Sequence, residues 1–99
     1  MDPAAYVLQE IAGQDGDGGA EVGALRTLVE QRQGIVLDDA QLDAALRLLE
    51  QKSLVVRFAE RYVLSPPIRG RLATEPDGKI AMSRQAWVRL CGSLGLAGS

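Results

Sequence analysis

A chain of 99 residues, 46% hydrophobic and 24% charged, has the length and balance of one globular domain. With no histidine and a single cysteine, it has no serine–histidine or cysteine–histidine catalytic pair, no internal disulfide and no ordinary structural zinc site. The net charge of −2 hides a polarity: residues 1–50 carry three basic and ten acidic groups (net −7), and residues 51–99 eight basic and three acidic (net +5). Such asymmetry suits a nucleic-acid face on one half, or mutual attraction of the halves within a molecule or between copies. No apolar run approaches the roughly 18 residues of a membrane span. The N-terminus opens with an acid and lacks a basic leader, so a soluble, cytoplasmic protein is expected.

Asp2-Pro3 is a favourable helix start, because aspartate caps free amides and proline suits the first helical position. Val7, Leu8 and Ile11 then share a face, which predicts a first helix over Pro3–Ala12 before Gly13. Residues 13–20, GQDGDGGA, predict a flexible acidic connector. Asp15 and Asp17 carry the start of a calcium-loop pattern, but the twelfth loop position holds Arg26 instead of glutamate. Glu21 opens a second helix striped by Val22, Leu25, Leu28 and Val29 and stopped by Gly34. Ile35, Val36 and Leu37 form a short apolar run expected to tuck beneath the helix pair.

Asp38 or Asp39 caps a third helix, whose stripe Leu42, Ala45, Leu46 and Leu49 repeats at i, i+3, i+4 and i+7. Gln51-Lys52-Ser53 ends it. LVVRF (54–58) and RYVLS (61–65) alternate with period two and predict a hairpin. Leu54, Val56 and Phe58 point one way, Val55 and Arg57 the other. On the return strand Tyr62 and Leu64 share one face, Arg61 and Val63 the other. Ala59-Glu60 is a poor two-residue turn, so the turn is expected to recruit Phe58 or Arg61. Pro66-Pro67 ends the sheet. Residues 68–79 predict an irregular connector with room for one helical turn, and a turn at Pro76-Asp77-Gly78. Ser83 caps a last helix with Trp87, Leu90, Cys91 and Leu94 on its apolar stripe, a core position for Trp87 and a buried structural setting for Cys91. The tail GLAGS is expected to fray.

Residues 21–65 resemble winged helix-turn-helix domains of the bacterial regulator type. The resemblance is carried by LRTLVEQ, the block LDDAQLDAALRLLEQKSLVVR, and the wing-like ERYVLSPP. It implies a mostly helical α+β fold, three helices plus a two-strand wing, with an additional C-terminal helix. Residues 1–67 form the winged-helix core, and residues 68–99 a connector and helix that pack on it or make a dimer contact. It also implies a non-catalytic binding module, with no cofactor or metal. The third helix, which the family uses to read the major groove, here opens with Asp38, Asp39 and Asp43, and carboxylates repel phosphates. If duplex DNA is the ligand, as in a transcriptional regulator, the expected interface is therefore the basic wing and post-wing edge: Lys52, Arg57, Arg61, Arg69 and Arg71, with Arg57 and Arg61 flanking the turn and pointing the same way. The alternative is a protein–protein adaptor that does not bind DNA, with Trp87, Leu90 and Leu94 as the partner or homodimer surface.

Overall fold

The computed structural model describes residues 3–14, 18–72 and 82–96. The expected Asp2 cap, the aspartates of the 13–20 loop, the Pro76-Asp77-Gly78 turn and the tail beyond Leu96 lie outside them. Among the described residues five helices and three short strands run in the order α1 (Pro3–Gln14), β1 (Ala20–Glu21), α2 (Val22–Gln33), α3 (Asp39–Gln51), β2 (Val55–Phe58), β3 (Arg61–Leu64), α4 (Pro66–Arg69) and α5 (Arg84–Ser93). The sheet is antiparallel in the order β1-β3-β2, giving a small α+β fold.

Helix α1 is the centre of the molecule. Ala4, Ala5, Val7, Leu8, Ile11 and Ala12 are all buried, and the helix packs against α2, α3 and β3. It runs two residues past Ala12, through an exposed Gly13, and Gln14 accepts a bond from Gly19 N at 3.0 Å. Leu25 and Val29 of α2 face α1's side of the core, with Val22 and Leu28 half-buried. Gly34 ends α2 in the left-handed region (φ 70°), its N–H bonded to Glu30 O. The 35–37 run behaves differently from the expectation. Leu37 is buried, Ile35 half-buried, and Val36 turns out to solvent.

Helix α3 begins with a capping box. Gln41 N donates to the Asp38 carboxylate at 2.7 Å, and Asp38 N donates to Gln41 Oε1 at 3.0 Å. Its four stripe residues are buried as the spacing requires. The helix ends in a paired arrangement: Leu54 N donates to Leu49 O and Ser53 N to Glu50 O, both at 3.0 Å, with Ser53 at φ 58°. This is a Schellman end with serine where glycine is usual, and the buried Leu49 and Leu54 close it. It sends the chain directly into β2.

The hairpin register is Val55↔Leu64, Val56↔Val63, Arg57↔Tyr62 and Phe58↔Arg61. Phe58 and Arg61 thus both stay in the ladder, and the turn is the bare pair Ala59-Glu60, contrary to expectation. Ala59 absorbs the bend at φ 57°. Val55, Tyr62 and Leu64 point into the core, while Val56 and Phe58 face solvent. The 13–20 segment also departs from a plain connector. Ala20 and Glu21 pair with Tyr62 and Arg61, and Ala20 is buried. Gly19 (φ 101°) makes this possible, since a Cβ there would stand 2.7 Å from both Tyr62 O and Val63 Cγ1.

Pro66 and Pro67 end β3 and begin the single turn of α4, which buries Ile68. Ser83 Oγ caps α5 by accepting from Ala86 N at 3.1 Å. Trp87, Leu90, Cys91 and Leu96 join the same buried cluster as α1, α3 and the hairpin. Leu96 does not fray. Its N–H bonds Cys91 O at 2.8 Å, Gly95 N bonds Gly92 O at 3.2 Å, and Gly95 sits at φ 77°, a second Schellman end that folds Leu96 inward.

Candidate binding surface

Four of the five cations expected to form one patch bond to different partners within the chain. Because side chains alternate along a strand and Phe58 is the residue opposite Arg61, Arg57 and Arg61 stand on opposite faces of the ribbon. Their expected common direction does not hold. Arg57 Nε donates to Ala59 O at 3.1 Å, and its guanidinium lies with the Glu50 carboxylate at the Tyr62 hydroxyl. Burial pushes that hydroxyl above its ordinary range, Glu50 adds to the rise, and Arg57 opposes it. Arg61 turns toward β1, pairing with Glu21 at 3.0 Å and donating to Gly19 O at 3.3 Å.

The post-wing cations have a different destination. Arg71 Nη2 donates to Ser93 Oγ at 3.1 Å, and Ser93 Oγ in turn donates to Leu90 O at 2.8 Å. Lys52 Nζ lies 3.1 Å from where a Cβ on Gly95 would be. Both therefore gather at the carbonyl end of α5, where a helix terminus attracts positive charge. Arg69 Nη2 donates to Leu64 O at 3.2 Å. Lys52 and Arg71 thus each turn to the end of α5, whereas Arg61 turns to β1.

The outer face of α3 is acidic. Asp39, Asp43 and Glu50 are exposed. Arg26 meets Asp39 at 2.7 Å, and Arg47 meets Asp43 at 3.0 Å one turn along. Exposed pairs of this kind contribute roughly 0–1 kcal/mol each. The α5 stripe proposed as a partner surface faces inward: Trp87 is 9% and Leu90 8% exposed, and Leu94 packs half-buried against the core. The helix instead presents Arg84, Gln85, Val88 and Arg89 outward. Cys91 is fully enclosed, and burial raises its thiol above the ordinary value.

Two residues not singled out in the sequence emerge as surface features. Phe58 is 75% and Val56 44% exposed, side by side on the outer face of the hairpin, with Val63 directly across from Val56. The alternation placed them on one face without saying which face was outside. A two-residue turn would have done so, because it sets Phe58 opposite the charged Arg61.

Among the described residues no group of three His, Cys, Asp or Glu side chains is placed to hold a metal ion, and no helix is long and apolar enough to cross a membrane. No protein-family model, curated protein or solved structure matches the chain.

Proposed function

We propose that the chain is a non-catalytic binding module of winged-helix type, and that its ligand is another protein held at the outer face of the hairpin. The architecture supports the first part. The order α1-β1-α2-α3-β2-β3, with a short strand before α2 pairing to the return strand of the hairpin, is the arrangement expected when a helix pair carries a wing. One observation carries the second part: Phe58 stands almost bare beside Val56, on a ribbon whose arginines are engaged elsewhere. A solvated phenylalanine next to a valine has little to stabilise it alone and much to gain from a partner, and aromatic residues are enriched at protein interfaces. The acidic face of α3 favours a basic partner over phosphate-bearing DNA.

Duplex DNA is the second reading, that of a transcriptional regulator. Its specific support is that Lys52, Arg57, Arg69 and Arg71 remain exposed on the later half of the chain. The two readings separate by crosslinking. A photoreactive phenylalanine analogue at position 58, irradiated in extract of the source cells, is expected to yield a discrete protein adduct that survives nuclease and disappears on Val56→Asp. Adducts to DNA alone, or none above those from an analogue at Gln51, would overturn the protein reading.

A further inference from the structure

We propose that the cleft where α1, the last turn of α2 and the first turn of α5 meet binds a small monoanion with a flat apolar body, the chemical class of an aromatic carboxylate. The cleft has a volume of about 540 Å³, within the usual range of roughly 300–1,000 Å³ for small-molecule sites. It lies apart from the hairpin, and the proposal stands independently of what the hairpin binds.

Charge sets the anion. Arg32 and Arg84 both line the cleft. The only carboxylate that the described ion pairs place beside either is Glu10, buried behind Arg32. Glu10 Oε1 is already occupied by Gln33 Nε2 at 2.9 Å. Its other oxygen is 3.6 Å from Arg32 Nε, longer than a strong charge-assisted bond of about 2.7–2.9 Å. Arg32 is 59% exposed, so much of its five-donor guanidinium still faces outward. Two arginines against one carboxylate leave one positive charge, which a monoanion neutralises.

The walls set the body. Trp87 and Tyr6 line the same space, with Ile35 beside them. Tyr6 and Ile35 are half-buried and Trp87 is nearly enclosed, so together they give the cleft a partly apolar wall against which a planar group can lie. Gln9 adds a polar anchor: its Nε2 is buried with no hydrogen-bond partner, and it borders the cleft. A buried amide donor without an acceptor is costly, and a ligand oxygen would relieve it. Inorganic phosphate would meet the arginines and leave the rings unused. A neutral aromatic would do the reverse.

Trp87 is the chain's one tryptophan and borders the cleft, so its fluorescence reports on the site. The isolated chain is titrated at constant ionic strength with benzoate, with benzamide of matching shape, and with inorganic phosphate. Benzoate is expected to give a saturable change, with benzamide and phosphate each at least about tenfold weaker. Arg32→Gln and Arg84→Gln should each weaken benzoate about tenfold, with circular dichroism unchanged. Arg89→Gln, outside the cleft, should leave benzoate affinity as it was. The proposal is overturned by no saturable response to benzoate up to about 10 mM, by equal responses to benzamide or phosphate, or by unaltered affinity in both cleft variants.

Discussion

Gln33 donates to Glu10 at 2.9 Å and so ties the last turn of α2 to the buried middle of α1. The carboxylate is nearly enclosed, and its remaining neighbour is Arg32 at 3.6 Å. Removing the donor strands a buried acceptor, whereas removing the acceptor strands nothing, because Gln33 and Arg32 both reach solvent. Gln33→Ala is therefore expected to cost about 1–2 kcal/mol in urea unfolding, and Glu10→Leu, similar in bulk, less than about 1 kcal/mol. The reverse ranking would show that the pair stabilises through its charge.

The β1–β3 pairing depends on a missing side chain. A Cβ on Gly19 would press on the Tyr62 carbonyl, which cannot swing aside, and φ 101° disfavours any L-residue. Gly19→Ala should lose about 2–4 kcal/mol, a fall in Tm of roughly 10 °C or more. Gly18→Ala, also at positive φ but with nothing near its Cβ, should lose only about 1 kcal/mol.

Ser53 and Ala59 hold left-handed conformations that glycine adopts without strain. Ser53→Gly and Ala59→Gly should each raise stability by about 0.5–1 kcal/mol, the relief of strain exceeding the added freedom of the unfolded chain. Their separation at opposite ends of β2 makes the two gains additive in the double variant. A loss at position 53 would mean that the α3 exit is not the Schellman end described.

Stability should weaken in alkali. Burial raises both the Cys91 thiol, ordinarily 9.0, and the Tyr62 hydroxyl, ordinarily 10.0, so each holds its proton more tightly folded than unfolded. A raised folded value gives stability that is complete below the unfolded value and lost as pH rises through the folded one. Unfolding free energy should thus hold steady up to pH 9 and decline above it, more steeply past 10. Cys91→Ala should remove the earlier part of that decline, as read by urea titrations at stepped pH.

Local chemistry made part of the fold legible. Asp38 with Gln41, Gly34 and Ser83 mark helix ends because capping is a bond between near neighbours. Leu42, Ala45, Leu46 and Leu49 mark a buried stripe for the same reason. What escaped was non-local. Ala20-Glu21 is a strand only because β3 has a free edge to offer, and two residues carry no periodicity. Leu96 sits in a sequence of small residues that suggests fraying, yet as the residue after Gly95 it folds back over Cys91. The charge count saw a basic half. It could not see that one register would put Arg57 and Arg61 on opposite faces, or that Arg71 and Lys52 would turn to the end of α5. The cleft was hidden too, its walls coming from Tyr6, Arg32 and Trp87, far apart in the chain.

The most direct test of the binding-surface account is titration of a fluorescent random-sequence duplex with the intact chain at about 50 mM salt, repeated as salt is raised. Internally bonded arginines and an acidic α3 predict no saturable binding below about 10 µM. Micromolar or tighter binding would contradict it, if log K fell against log salt with a slope of about −3 or steeper and affinity dropped when Arg57 and Arg61 were replaced by alanine.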